Sequence, residues 1–349
     1  TLIQLMSVTN KYNIILGIES SCDDTSAAII KNGEILSNVV AGQDIHAKYG
    51  GVVPELASRA HQQNIVPVVD AALKQAGLTK SELTAIAYTK GPGLLGSLLV
   101  GTSFAKSMAM GLNIPLIDVN HMQGHILAHF IQKTEKHKPT PNFPFICLTV
   151  SGGHTQIVLV KDYLNMELIG ETIDDAAGEA FDKAAKVLGL SYPGGPLVDE
   201  LSKEGNTARF AFTFPKVGEF NYSFSGLKTQ FLYFLQKEEK LNEKFIQQNL
   251  NDICASYQQH IVNYLFIKLK KAVAHYNLKD VAIAGGVSAN SCLRKTLEKT
   301  GQEEGWNTFI PEFEYCTDNA AMIAITGQFK LEKGHISDQS ATPSARMTF

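Results

Sequence analysis

Two histidines set four apart, His121 and His125 in HMQGHILAHF, would place two imidazoles on one face of a helix, roughly 6 Å apart along its axis. That is within reach of one metal ion. A zinc peptidase writes such a pair as H-E-x-x-H, with the glutamate as the base that activates water. Here the second place holds Met122, which excludes the hydrolytic template. The pair is either a coincidence of spacing or part of a metal site with other chemistry. His129 falls near the same helical face and reads as packing or surface.

Acids form the second group. Asp23 and Asp24 sit in the turn SSCDDTS directly after an apolar stretch. Two carboxylates belong there only if they meet a cation, a donor or a reacting group. Asp174, Asp175, Glu179 and Asp182 lie across the start of one helical stretch, where acids stabilise the N-terminus. Capping is the expected role of Asp174 and Asp175, whereas Asp182 lies deeper and is harder to explain that way. Asp318 in CTDNAAMIA reads either as an N-cap or as a third metal ligand.

The elements that must position these groups alternate in an α/β pattern. Ile14 to Glu19 reads as a strand, AAII as its partner, and Asn32-Gly33 as a hairpin turn into EILSNVV. A helix is predicted from about Pro54 to Gln75, then a strand from Thr84 to Thr89, a helix opened by GPGLLG, and the strand IPLIDVN. The pattern restarts at Phe145, with SGGHT as the turn, QIVLV as the hairpin partner and MELIGETI as a third strand. Such repetition predicts two α/β lobes of related topology facing each other across a cleft. The stretch from Lys133 to Pro144 is the expected linker, and residues 201–222 an irregular insertion.

Four turns rich in glycine or hydroxyl groups follow strands: SSCDDTS, GPGLLG, SGGHT and GGVSAN. Backbone amides at the C-terminal ends of strands meet anions readily, so four together point to a phosphate or nucleotide site. GPGLLG, with Asp118 placed 22 residues beyond Gly96, also fits a dinucleotide fingerprint. Against that reading, three strands precede it and Pro92 removes an amide. No G-K-[ST] occurs, which excludes a Walker A loop.

The chain has 349 residues, 44% apolar and 19% charged, with net charge −3. This describes a globular protein of about two domains, without the field of a general nucleic-acid binder. Lys133, Lys136 and Lys138, and Lys268, Lys270 and Lys271, read as solvated faces. Five cysteines without C-x-x-C spacing fit a reducing cytosol. No apolar run reaches the length of a membrane span. The segment TLIQLMSVTNKYN lacks the features of a signal peptide.

Taken together, GIESSCDDTSAAI, YGGVVPELASRAH, YTKGPGLLGSLLVG, HMQGHILAH, VSGGHTQIV, DDAAGEAFDKAAKVLGL, YPGGP, YSFSGLKT, GGVSANSCLR and EYCTDNAAMIA resemble the tRNA threonylcarbamoyladenosine transferase family, in its bacterial form. The resemblance implies an α/β fold of two duplicated actin-, Hsp70- and sugar-kinase-like lobes around a central nucleotide and metal cleft. It implies lobes at 1–135 and 143–324, with a C-terminal helix at 325–349 packing back on the first. His121, His125 and, from the second lobe, Asp318 would hold one divalent metal, iron or zinc. Thr149, Val150, Ser151, Gly152, Gly153, Asp182, Gly195, Asp199 and Asn290 would bind threonylcarbamoyl-AMP or an adenine nucleotide. Asp23 and Asp24 are the catalytic candidates, with Asp24 standing where many relatives have Glu. The implied reaction is acyl transfer to N6 of adenosine 37 of tRNA. Implied partners are the tRNA, an inactive paralogue of the same fold and a small P-loop ATPase, in the cytoplasm and with no membrane. The rival reading is a nucleotide-dependent chaperone or assembly protein of the same fold.

Overall fold

All six residues of IILGIE are buried, and a strand buried on both faces must lie inside a sheet. The computed structural model describes residues 13–133 and 137–349, so nearly all of the N-terminal segment considered above, and Lys136, lie outside the described residues. β1 (Ile14–Glu19) pairs antiparallel with β2 (Thr25–Lys31), which pairs antiparallel with β3 (Glu34–Ala41). The β2–β3 turn is built by Asn32 at φ 51° and Gly33 at φ 85°, the left-handed pair that a two-residue hairpin of this twist requires. α1 (Pro54–Gln75) follows, with the bounds predicted from sequence and Pro at its first turn, where no amide is lost. β4 (Ala85–Gly91) then joins β1 in parallel, α2 (Leu95–Leu112) crosses over, and β5 (Leu116–Asn120) completes the order β3-β2-β1-β4-β5. α3 (His121–Leu127) starts directly at the end of β5, capped by the Asn120 side chain, which accepts from the amides of Met122 and Gln123.

The second sheet starts with β6 (Phe145–Val150), β7 (Thr155–Val160) and β8 (Met166–Glu171), again an antiparallel run. Next come α4 (Ala177–Val187), α5 (Gly194–Ser202), α6 (Ser225–Leu241) and α7 (Phe245–Tyr276). β9 (Asp280–Ala284) joins β6 in parallel, α8 (Ser291–Glu304) follows, and β10 (Asn307–Phe309) joins β9 in parallel. The order β8-β7-β6-β9-β10 repeats the first sheet strand for strand.

The predicted irregular insertion is irregular but anchored. Lys268 of α7 is buried and donates to the carbonyls of Val217 and Gly218 (3.4 and 2.6 Å), and Phe214 stacks on His260 at 4.3 Å. Lys268 therefore does not belong to a solvated face. Lys270 does lie outside, paired with Glu304 at 2.9 Å.

The last helix, α9 (Ala320–Glu332), corrects the expected boundary. The chain divides into unit 1 (Thr1–Gln43, Val53–Pro139, Asp318–Phe349) and unit 2 (Asp44–Val52, Thr140–Thr317). The whole segment from Asp318 thus joins the first unit, rather than only 325–349. The cause is small-residue packing. A side chain at Gly17 of β1 would meet the Ala320 carbonyl at 2.3 Å and the Ala324 Cβ at 2.8 Å, and one at Gly327 would meet the Ala87 Cβ at 2.4 Å. With glycine and alanine at these places, the α9 backbone lies directly on β1 and β4, and its residues from Ala320 to Gln328 are buried.

Candidate functional site

Three elements of unit 1 converge at the C-terminal end of its sheet. β5 delivers α3, which carries His121 and His125 on one face, and α9, seated on β1, delivers Asp318 just ahead of its first turn. One ligand atom from each of the three lies within 4.8 Å of the other two. His121 Nε2 is 3.4 Å and His125 Nε2 3.3 Å from Asp318 Oδ1, and the two rings meet edge to face with centroids 4.7 Å apart. Asn319, not Asp318, caps α9, accepting from the Met322 amide, so Asp318 is free of the alternative role considered for it. Because all three belong to unit 1, the expectation that the second lobe contributes Asp318 is corrected.

The donor set suits a divalent cation. His125 is buried, its Nδ1 has no hydrogen-bond partner, and its Nε2 meets only Asp318 Oδ1, at 3.3 Å and outside good hydrogen-bond geometry, an arrangement that a shared cation would satisfy. Two imidazoles and one carboxylate match zinc or iron chemistry. Asp318 keeps a side-chain exposure of 26%, while the His125 side chain is fully shielded, which leaves one side open to an incoming group.

Glu19, absent from the sequence-level candidates, completes the group. It is fully buried at the end of β1 and meets His121 Nδ1 at 3.0 Å. A carboxylate closing an otherwise apolar strand was the available signal. Burial pulls the Glu19 pKa up, but the neighbouring His121 outweighs it and leaves the carboxyl below its usual value. Burial likewise raises Asp318, and His121 and His125 then drive it far below the carboxylate range. His121 is lowered by burial and lifted well above its ordinary value by Asp318 and Glu19, whereas burial leaves His125 below its own.

The acidic turn lies in the same unit. His61 of α1 is buried and holds it in place, with Nδ1 2.7 Å from Thr25 Oγ1 and Nε2 2.9 Å from the Cys22 carbonyl. Asp24 is pushed up to about 7 by burial and by the charges of Asp23, Asp318 and Glu19. Asp23 lies beside the Cys22 thiol, which burial and the charges of Asp318 and Asp23 keep protonated. The dinucleotide reading fails here. Gly93 donates to the Ala345 carbonyl, Ser344 donates to the Lys90 carbonyl, and Asp118 is engaged by Lys90 (3.1 Å), Lys330 and Ser337. The chain's own C-terminal segment covers this loop.

In unit 2 the other candidates gather at the C-terminal ends of β6 and β9. Thr149 and Val150 end β6, and Ser151, Gly152 and Gly153 form its turn. Gly152 and Gly153 are exposed, and nothing lies within 4 Å of where their side chains would be. Gly285 of GGVSAN, at φ +86°, passes so close to Val150 that a Cβ would stand 2.5 Å from its carbonyl oxygen. Asp182 of α4 accepts from the amides of Gly194 and Gly195 (2.8 and 3.2 Å), so it caps the start of α5, not its own helix. Burial raises its pKa above the usual value, against those two bonds. Asp199 of α5 accepts from the Ser291 amide and hydroxyl at the start of α8. Asn290 caps α8 and donates to Gln258 at 2.6 Å. The capping expected of Asp174 and Asp175 on α4 is corrected as well. Asp174 accepts from Ser223, Phe224 and Ser225 at the start of α6, and Asp175 pairs with Lys183 at 2.6 Å.

Residues 34–325 match the family described as tRNA N6-adenosine threonylcarbamoyltransferase. Proteins of that name from Riemerella anatipestifer and Christiangramia forsetii are 60% and 61% identical, over 96% of this chain and 98% of each relative. The one from Porphyromonas gingivalis is 56% identical over the same shares. Among solved structures, HypF from T. kodakarensis aligns over 95% of this chain and 49% of its own, with TM-score 0.59 and 16% identity. A full-length HypF aligns over 93% and 47%, with TM-score 0.58 and 14% identity. These two likenesses are of fold alone, and both run over nearly the whole of this chain. With most of its length matched by the family and near-full-length relatives above 55% identity, the chain belongs to the tRNA N6-adenosine threonylcarbamoyltransferase family.

Proposed function

We propose that this protein transfers the L-threonylcarbamoyl group from threonylcarbamoyl-AMP to N6 of adenosine 37 in tRNAs that read codons beginning with A. The observation carrying this reading is the cluster of buried His121 and His125 with half-buried Asp318, in a chain matched by that family over residues 34–325. The new N6–C bond forms as the C–O bond to AMP breaks, and the N6 proton passes to a base. AMP is a good leaving group, so the site must position and stabilise charge rather than supply a nucleophile.

His121, His125 and Asp318 would hold one divalent cation, iron or zinc. Such an ion supplies a Lewis acid that polarises or orients the transferred group. Asp24, which burial first and then the charge of Asp23 lift to about 7 in the metal-free chain, suits the base that takes the N6 proton. In unit 2, Thr149 to Gly153 would receive the adenylate phosphate at open backbone, and Asp182, Gly195, Asp199 and Asn290 would frame the nucleoside. The site is proposed to work with tRNA, an inactive paralogue of the same fold and a small P-loop ATPase, in the cytoplasm. The five free cysteines suit that compartment, and among the described residues no helix is long and apolar enough to cross a membrane.

The test supplies threonylcarbamoyl-AMP and unmodified tRNA to metal-loaded protein, with and without the partners, followed by nucleoside analysis. Threonylcarbamoyladenosine is the expected product. None from a complete mixture would rule the reading out.

A further inference from the structure

The two histidines of unit 1 are held differently. His125 Nδ1 has no hydrogen-bond partner, and its Nε2 meets only Asp318 Oδ1, at 3.3 Å. His121 is fastened through Nδ1, 3.0 Å from Glu19 Oε2 and 3.2 Å from the Ser21 hydroxyl. Glu19 is itself fixed from two further sides. The Ser21 amide donates to Oε1 at 2.5 Å, and the Thr89 hydroxyl of β4 donates to Oε2 at 2.6 Å. Ser21 in turn is pinned by the Leu94 amide, which donates to its carbonyl at 2.7 Å.

We propose that Glu19 is the positioning residue of the metal centre: its carboxylate holds the His121 ring with the proton on Nδ1, so that Nε2 offers its lone pair to the cation shared with Asp318. The inference rests on the metal reading above. An ionised carboxylate only accepts hydrogen bonds, so the ring nitrogen facing it is the one that donates. The far nitrogen is then left as a ligand, and it points at Asp318 Oδ1 from 3.4 Å. A carboxylate behind a metal-binding imidazole fixes the tautomer and the ring orientation and raises the basicity of the ligand. Full burial explains why the device is stiff. Glu19 cannot relax toward water, and each of its three partners comes from a different stretch of chain.

The alternative is a purely structural acid that ties Ser21 to Thr89. Glu19→Gln separates the two, because it keeps the volume and an acceptor oxygen while losing the charge. Zn2+ affinity, measured by chelator competition, is expected to fall about 10- to 100-fold in Glu19→Gln, with a native thermal transition. Nitrogen-15 NMR of the Zn2+-loaded protein should show His121 protonated at Nδ1 in the wild type and a loss of that preference in Glu19→Ala. Should the Glu19 variants fail to fold, Thr89→Val decides, since it leaves Glu19 in place but removes one donor. It is expected to weaken Zn2+ binding in the same direction by a smaller factor. Wild-type affinity in Glu19→Gln, alongside loss of binding in His121→Ala, would overturn the positioning role and leave the metal reading intact. Wild-type affinity in His121→Ala would overturn both.

Discussion

The two units share one strand order and differ in the turn that closes the first strand. In unit 1 that turn is SSCDDTS, folded back on a buried glutamate and pinned by His61. In unit 2 it is SGGHT, with two exposed glycines facing open space. The duplicated sheet places a turn at the same topological point twice, and side chains then decide its chemistry. In one copy the turn packs its serines and the buried Glu19 behind His121 of α3, and in the other it leaves bare amides that suit an anion.

The largest expected effect separates the units most sharply. On the proposed metal site, Asp318→Ala or His125→Ala would each delete a ligand and should weaken metal binding by more than the roughly 100-fold upper range for outer-sphere partners. Calorimetric titration should show nucleotide binding unchanged. A metal affinity unmoved by either variant would break the contrast.

Next come the glycines of unit 2. Gly285→Ala puts a side chain at φ +86° and 2.5 Å from the Val150 carbonyl, and should cost at least about 3 kcal/mol in denaturant unfolding. Gly153→Ala meets nothing within 4 Å, so stability should stay within about 0.5 kcal/mol while adenylate affinity drops. Unchanged affinity would remove the SGGHT turn from the nucleotide site.

Two aspartates test capping against binding. Asp174→Ala and Asp182→Ala should each destabilise by about 1 to 2 kcal/mol, since each removes a helix cap. Only Asp182→Ala should also raise the KM for threonylcarbamoyl-AMP. Equal KM values would assign Asp182 to α5 alone.

The smallest effect concerns pH. Asp24 titrates near 7 in the folded chain and near 4 when unfolded, so the folded state binds more protons between those values. Its contribution to stability is present below about pH 4 and lost as pH rises through 7. Asp24→Asn should therefore flatten the stability profile of the metal-free protein over that window. An unchanged difference profile would contradict the burial assigned to Asp24.

Local signals explain what was legible. Asn32-Gly33 writes its own hairpin, Pro54 and Gly77 bracket α1, and the His121 and His125 spacing needs only a helix. Interactions distant in sequence were not legible. Glu19 meets His121 only because β1 and β5 share a sheet, and Asp174 finds α6 about fifty residues away. The domain boundary was misplaced for the same reason. CTDNAAMIA follows the second sheet in sequence, yet Gly17 lets α9 pack on the first. His61 falls within the helix predicted from Pro54 to Gln75, and only its contact with Thr25 places it behind the acidic turn.

The most direct measurement follows label from threonyl-labelled threonylcarbamoyl-AMP into tRNA, comparing metal-loaded wild type with His125→Ala beside the same partners. Label in adenosine 37 with the wild type, and its loss in the variant, is the expected result. Equal incorporation by both proteins would contradict the assignment of the buried unit 1 cluster to the transfer reaction.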